Sequence, residues 1–338
     1  VTGGGHTHEP GPESGLADVV AILSGPPRRI TVSTHRNPDG DAIGSMIGLA
    51  RTLRHVGHDV IMWHTEGPGL PDEFNWLLDP GEQILAGPIA DASDRMLVAV
   101  DAATAHRLTD DDPRRVGSPV VNIDHHHDNS RYGDLNLIDG EASSTAEMVV
   151  RIVDGLGVPL DAGIGLPLYV GVLMDTGRFS YANTGAEAHL AAARLIDAGV
   201  DVGAVFRKVY EGWEIGRLRL MGRALAAVRS ELGGRLMVSV VTDHDVQEAG
   251  SDDSDGIVEA LRAVGGTDVA VVIREAHGGW RVSMRASSDR VDVSEIARRE
   301  GGGGHRAAAG FTAHRSPEEI ITIIHDAIVA QVGDGGRV

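Results

Sequence analysis

The sequence predicts an α/β protein with an N-terminal parallel sheet carrying helices on both faces, a helical connector, and a smaller C-terminal α/β domain. Three observations predict this. In the first half of the 338 residues, apolar runs of strand length alternate with segments of helical period. A long amphipathic stretch ending in Gly-Gly follows them. Beyond it, three β-rich runs precede two helical ones. The boundaries read as a mobile tail over 1–14, a first domain over 15–185, a connector over 186–229 and a second domain over 230–333. A chain of this length has room for two sizeable cores.

The elements follow in order. "RITVS" (29–33) is an apolar, β-branched run and reads as a buried strand. "DAIGSMIGLARTLRHVG" (41–57) has helical apolar spacing and stops at Gly57. "DVIMW", "RMLVAVD" (95–101) and "PVVNIDHHH" (119–127) supply three more strands, the last two ending in acids or polar clusters. "SSTAEMVVRIVDGLG" is a helix with Ser143 or Ser144 as N-cap and Glu147 placed for a capping box. "DAGIGLPLYVGVLMDTG" is almost wholly apolar and reads as a buried helix ending near Asp175. From Thr184 the pattern turns helical, and "WEIGRLRLMGRALAAVRSELGG" is the candidate connector. The strands "RLMVSVVT", "DVAVVIREA" and "GWRVSMRAS" follow, with "HGG" as a hairpin turn, then helices at "VSEIARRE" and "PEEIITIIHDAIVAQV". No internal repeat is visible.

Composition narrows the class. The chain is 42% hydrophobic, as soluble globular proteins are. No apolar run reaches the roughly 20 residues that span a bilayer, so no membrane partner is expected. The opening "VTGGGHTHEPGPESG" lacks the apolar core of a signal peptide, and its His6 and His8 read as solvated composition. The absence of cysteine excludes disulfides and thiolate metal sites and fits a cytoplasmic protein. A formal net charge of −19 without a basic stripe argues against gripping duplex DNA. A short nucleotide remains compatible, because bound metals and a few arginines make a local positive pocket.

Ligands of open parallel sheets bind beyond the carboxyl ends of the strands. Three predicted strands end there in "THRNPDGD", "VAVD" and "NIDHHH". The fold therefore gathers His35, Asp39, Asp41, Asp101, Asp124, His125 and His126 along one edge, with Asp175 joining from its apolar helix. One aspartate after a strand is usually a turn or a helix cap, and alone Asp41 could be an N-cap and Asp39-Gly40 an ordinary turn. Four acids and two or more histidines converging are not. Such carboxylates repel one another and resist joint desolvation, so a cation should lie between them. Oxygen and imidazole donors without sulfur suit Mn²⁺ first, with Co²⁺, Mg²⁺ or Zn²⁺ as alternatives. More than four ligands imply two ions, which at about 3.5–4 Å apart would clamp an in-line displacement at phosphorus.

At this point the sequence resembles the DHH phosphoesterase superfamily, in its nanoRNase and pAp-phosphatase branch. The name-giving triplet stands as Asp124, His125 and His126, the first motif as "HRNPDGDAIGS", the second as "VAVDAA" and the fourth as "GVLMDTGRF". "GGGGHRAAAGF" resembles the glycine-rich signature of the DHHA1 substrate domain. The match spans about 30–333. The resemblance implies that His35, Asp39 and Asp101 hold one ion, and that Asp41, Asp101, His125 and Asp175 hold the other, with Asp101 bridging. It implies that His126 is catalytic and stabilises charge at the scissile phosphate, while Asp124 orients a histidine. His127 falls outside the motif, although a one-residue slip would exchange its role with that of His126. Gly302, Gly303, Gly304 and His305 would contact a substrate phosphate or base, Arg285 would hold a terminal 5′-phosphate, and Arg178 would bind substrate or pair with an acid. A cleft between the domains would favour short substrates. The implied activity is hydrolysis of short oligoribonucleotides such as pApA to mononucleotides and of 3′-phosphoadenosine 5′-phosphate (pAp) to AMP. The implied partners are nucleotides and a second copy of the chain, with apolar stretches around 166–174 and 213–229 as the dimer surface. Alternatives are hydrolysis of cyclic di-AMP, long-strand exonuclease or pyrophosphatase activity, and a silent nucleotide-binding regulator.

Overall fold

The computed structural model describes residues 11–65, 69–276, 278–288 and 290–333. His6 and His8 lie outside the described residues. The chain divides into two compact units, Val1–Glu211 and Gly212–Val338.

The first unit runs α1 (Leu16–Leu23), β1 (Arg29–Ser33), α2 (Gly40–His55), β2 (Asp59–Trp63), β3 (Ile84–Leu85), β4 (Arg95–Val100), α3 (Ala105–Leu108), β5 (Val120–Asp124), β6 (Leu135–Ile138), α4 (Thr145–Gly155), α5 (Ala162–Asp175), α6 (Ala186–Asp197) and α7 (Val202–Tyr210). Its six strands pair in the order β3-β2-β1-β4-β5-β6, and every pairing is parallel. Buried on both faces, the strands are apolar almost without a break. β4 shows how the faces divide. Met96, Val98 and Val100 face the core shared with α1, α2, α4 and α5. Leu97 and Ala99 face a smaller cluster with Leu108, Val116 and Tyr132. The long helices thus gather on one face, while α3, short 3₁₀ turns and loops cover the other.

α2 and α5 approach unusually closely because glycines line the contact. A methyl added at Gly44 would lie 2.2 Å from the Pro167 carbonyl oxygen, and one at Gly48 2.5 Å from the Leu168 side chain. The apolar stretch at 166–174 is consumed in this internal packing, so it offers no dimer surface. Residues 11–14, expected in the mobile tail, are fixed. Gly11 N donates to Arg131 O at 2.7 Å, Ser14 N donates to Asn136 O at 2.8 Å, and Glu13 bridges to Asn136. These bonds satisfy the open edge of β6, which would otherwise leave its backbone groups unpaired.

The second unit contains α8 (Ile215–Ala226), β7 (Arg229–Glu231), β8 (Leu236–Val241), α9 (Asp243–Ala249), α10 (Ile257–Arg262), β9 (Val269–Ala276), β10 (Gly279–Ala286), α11 (Val293–Arg299), β11 (Gly303–His305), β12 (Ala308–Ala313) and α12 (Pro317–Val332). The segment 186–229 therefore does not form a connector of its own. α6 and α7 belong to the first unit, where α6 packs on α5, and α8 belongs to the second. The second sheet is ordered β11-β12-β10-β9-β8-β7 and is antiparallel except for β8 with β9. The expected hairpin pairs Ala276 with Gly279, and His277 lies outside the described residues. One face of the sheet packs on α11 and α12 through Val271, Val282, Met284 and Phe311. On the other face Ala270 and Val272 of β9 are covered by Leu220, Ile257 and Leu261. Beyond β9 the cover thins to α10 at the Arg285 end of β10, and β10 turns Arg281, Ser283 and Arg285 toward that same face. Among the described residues no helix is long and apolar enough to cross a membrane.

Candidate metal centre and substrate face

The centre of the first unit forms where β1, β4 and β5 end and α2 and α4 begin. Asp39 is the N-cap of α2, and its Oδ1 accepts from the main-chain N–H of Asp41 at 3.0 Å and Ala42 at 3.1 Å. One oxygen is thereby spent on capping while the side chain stays exposed. Asp41, 1% exposed, sits in the first turn and caps a different helix. Its Oδ2 accepts from Thr145 N at 2.7 Å and its Oδ1 from Ala146 N at 2.9 Å, at the start of α4. The free N–H groups and positive dipole end of that helix favour a buried anion. Room for this carboxylate depends on Gly171, where a methyl would lie 2.8 Å from Asp41 Oδ1.

Asp101 follows β4 in a left-handed conformation, φ 56. A residue with a Cβ pays about 1–2 kcal/mol there, and such strain concentrates at functional positions. The turn aims its carboxylate at three histidines. Oδ2 lies 3.3 Å from His35 Nε2, and Oδ1 lies 3.6 Å from His125 Nε2 and 3.6 Å from His126 Nδ1. Thr145 Oγ1 donates to Oδ1 at 3.0 Å. Asp175, the last residue of α5, places Oδ2 3.6 Å from His125 Nε2.

The histidines fall into two kinds. His35 presents Nδ1 to the Arg36 carbonyl oxygen at 2.7 Å, and His125 presents Nδ1 to the Ala142 carbonyl oxygen at 3.4 Å. Each then turns Nε2 toward carboxylates, the arrangement of a metal-ligating histidine. His126 instead presents Nδ1 to Asp124 Oδ1 at 2.8 Å, and Asp124 Oδ2 accepts from Asn129 Nδ2 at 2.5 Å. Asn129 in turn accepts from Asn122 Nδ2 at 3.1 Å, so two buried amides brace the Asp124–His126 pair. His127 is exposed, with its ring against Gly140 rather than among the acids.

Protonation equilibria record the crowding. Burial raises the Asp41 carboxyl well above its ordinary value, and repulsion from Asp101, Asp175 and Asp39 raises it further. Burial also raises Asp175, to about 6, with Asp101 and Asp39 adding to the rise against the pull of His125 and His126. For Asp101 burial pushes upward, but the His35 hydrogen bond and the charges of His125, His35 and His126 prevail and hold it at about 2. The hydrogen bond to Asp124 lifts His126 to about 9 against the opposing effect of burial.

The donor set fits divalent cations. Three groups, each with ligand atoms within 4.8 Å of one another, can be drawn: His35, Asp39 and Asp101; Asp41, His125 and Asp175; and Asp101, His125 and His126. They overlap at Asp101 and His125. His35 Nε2 and Asp101 Oδ2 need a proton or a cation between them, and the raised Asp41 and Asp175 carboxyls are acids in search of a counter-charge.

In the second unit an open depression of about 600 Å³ lies over the uncovered part of the sheet, lined by Arg285, Gly302, Gly303 and Gly304 among others. Arg285 already donates from Nε to Glu259 Oε1 at 3.1 Å and from one terminal nitrogen to Met284 O at 3.2 Å. His305 lies in β11 by its backbone; its side chain lies outside what the structure describes. Gly302 and Gly304 exclude any side chain, since a methyl would lie 2.2 Å from Gly310 O or 2.5 Å from Ala308 O. Gly303 alone of the three faces open space. Arg178 is neither here nor paired to a metal-site acid. It is exposed in the first unit, with its guanidinium 5.0 Å from the centre of the Tyr210 ring.

The amino-acid pattern over both units matches known families. Residues 29–172 match the DHH family, N-terminal domain, and residues 233–331 match the DHHA1 domain. Over 306 residues the chain is 38% identical to the bifunctional oligoribonuclease and PAP phosphatase NrnA of Thermus thermophilus, covering 88% of this chain and 87% of that protein. The chain belongs to the DHH phosphoesterase family. A second relative of this DHH chain is the bifunctional oligoribonuclease and PAP phosphatase NrnA of Bacillus subtilis, 27% identical over 83% of this chain and 88% of that one. An exopolyphosphatase-related protein from Bacteroides fragilis shares the fold at a TM-score of 0.82, with 23% identity over 93% of this chain and 96% of that one. RecJ of Thermus thermophilus in complex with Mn²⁺ shares it more distantly, at 0.51 and 17% identity over 95% of this DHH chain and 55% of that one.

Sequence reasoning missed the residues that brace the DHH centre. Thr145, Asn129 and Asn183, whose Nδ2 donates to the Asp175 main-chain oxygen at 3.1 Å, were not singled out. Only Asn129 had a visible signal, lying in the same short run as the triplet. Arg281, which lines the depression beside Arg285, was missed too.

Proposed function

We propose that this DHH phosphoesterase hydrolyses very short oligoribonucleotides such as pApA to mononucleotides and pAp to AMP, using two divalent ions, manganese foremost. The observation that carries the proposal is the chain of overlapping ligand groups, linked first through Asp101 and then through His125, which leaves enough neighbouring donors for two adjacent ions. The activities for which the Thermus and Bacillus relatives are named supply the substrate class.

His35, Asp39 and Asp101 would hold one ion, and Asp41, Asp101, His125 and Asp175 the other. Bound there, the ions would acidify a water and offset phosphate charge. The remaining work falls to the chain. Thr145 and the start of α4 fix Asp101 and Asp41 in place. His126, kept protonated at neutral pH by Asp124, faces the departing oxygen and supplies its proton as the P–O bond breaks. Gly303 and the free N–H groups of Arg285 bind an anionic part of the substrate. Arg178, three residues after Asp175 and held over the Tyr210 ring, would contact substrate. The exposed Leu190, Val202 and Phe206 of α6 and α7 support a homodimer, which sedimentation would show. A cytoplasmic site of action suits such substrates and a chain without cysteine.

The deciding assay offers pApA, pAp, cyclic di-AMP and pyrophosphate side by side. Turnover of pApA and pAp should vanish in EDTA and return with Mn²⁺. Asp101→Ala should lose more than about 100-fold in kcat/KM, beyond what an outer-shell substitution costs, while its circular dichroism stays that of a folded chain. Metal-independent turnover, or hydrolysis of pyrophosphate alone, would reject the proposal.

A further inference from the structure

The open face of the second sheet carries two cationic rows, and the substrate reading above uses only one. In the first row Arg285 pairs across the strands with Ala270 and Ala308. In the second, Arg281 pairs with Arg274 on β9 and Thr312 on β12. Between them runs a floor of small residues, Ser283 beside Gly310 beside Gly303. Arg281 is exposed, lines the depression, and has no acid or hydrogen-bond partner among the described residues. Arg274 directly opposite has one acid near it, Asp252 at 3.5 Å, which is itself largely in solvent, and its Nε is buried without a partner. Like charges directly opposite on neighbouring strands destabilise a sheet. This pair is tolerated next to an open groove, where an anion can sit between the two guanidinium groups.

Spacing decides which anion. Arg281 and Arg285 lie four residues apart on one strand, about 14 Å at about 3.4 Å per residue. Successive phosphates of a stacked strand advance only about 3.4 Å along its axis. A phosphate held at Arg285 and its immediate neighbour therefore cannot occupy both rows. We infer that the Arg281 row is a second anion subsite, taking a phosphate further along an oligonucleotide of five or more residues and so setting a preference for length. This rests on the short-oligoribonucleotide reading and refines it. At that rise four steps, from a first phosphate to a fifth, cover about 14 Å, so pAp and pApA fall short of both rows and pApApApApA is the shortest of this series that reaches them.

The test is isothermal titration of the full chain in EDTA with pAp, pApA and pApApApApA. Arg281→Gln should weaken pApApApApA by about tenfold, as loss of a charged hydrogen bond does, and leave pAp and pApA within about twofold. The slope of log affinity against log salt for pApApApApA should fall by about 0.7 in that variant and be retained in Arg281→Lys. Equal weakening of all three ligands, an unchanged pApApApApA affinity, or wild-type binding that ignores length overturns the inference. Turnover of pApA by the wild-type chain with Mn²⁺ is scored separately. Failure there removes the functional reading, while the titration still decides the role of Arg281.

Discussion

His126 differs from its neighbours by one hydrogen bond, and that bond hangs on a residue two steps away. Asn129 Nδ2 holds Asp124 Oδ2, and Asp124 Oδ1 holds His126 Nδ1. Asn129→Ala leaves a buried carboxylate oxygen unsatisfied and frees Asp124 to turn. We expect kcat/KM to fall by about 10- to 100-fold. The sign of the pH effect follows from the cause. Asp124 raises His126 to about 9 by favouring the imidazolium, so a weaker bond lowers that value and moves the alkaline limb of the rate profile to lower pH. An unmoved limb would show that Asn129 serves folding only. In the second unit, Gly303 and Gly302 separate contact with substrate from packing. A methyl at Gly303 meets nothing within 4 Å. Gly303→Ala should therefore keep its unfolding free energy within about 0.5 kcal/mol while KM rises. Gly302→Ala should lose about 1–3 kcal/mol by overpacking, as read by urea unfolding.

The contact between α2 and α5 sets the position of Asp41 and Asp175, two candidate metal ligands. Gly44→Ala drives a methyl against the Pro167 carbonyl and should cost about 1–3 kcal/mol in urea unfolding. Gly171→Ala on the facing helix meets both Ala146 and the Asp41 carboxylate. It should lose stability and metal affinity together, the latter measured by Mn²⁺ titration. These elements were readable to different degrees. α2, α4 and α5 announce themselves by apolar period and caps, because those signals lie within a few residues of one another. The capping detail shifted, since Asp39 rather than Asp41 is the N-cap of α2. The fixing of residues 11–14 on β6 was not readable, because it joins segments more than a hundred residues apart and involves backbone groups that every sequence has. The division of 186–229 between units was hidden for a related reason. An amphipathic helix shows that it has an apolar face but not which core that face joins.

At the scale of the molecule, the acids make stability depend on cations and pH together. Without metal, the folded chain holds the protons of Asp41 and Asp175 more tightly than the unfolded chain does. Stability contributed by their protonated forms is therefore lost as pH rises, for Asp175 from near 4 through about 6 and for Asp41 in the same direction. For Asp175 the displacement corresponds to about 3 kcal/mol. Asp101 acts in another window: its contribution is complete above the unfolded value and disappears as pH falls toward about 2. Cations relieve only the first penalty. The rise in Tm on adding Mn²⁺ should be larger at about pH 7.5 than at about pH 5, and a pH-independent rise would contradict the electrostatic account. The clustering of these acids was legible in the sequence because a parallel sheet sends its strand ends to one edge. Their anchoring was not, since Asp41 and Thr145 meet across 104 positions of chain. That anchoring has a practical consequence. The amide protons of Thr145 and Ala146 point at a carboxylate that is a candidate ligand, so with diamagnetic Mg²⁺ or Zn²⁺ their nuclear magnetic resonance frequencies would form a built-in gauge of occupancy, readable without substrate.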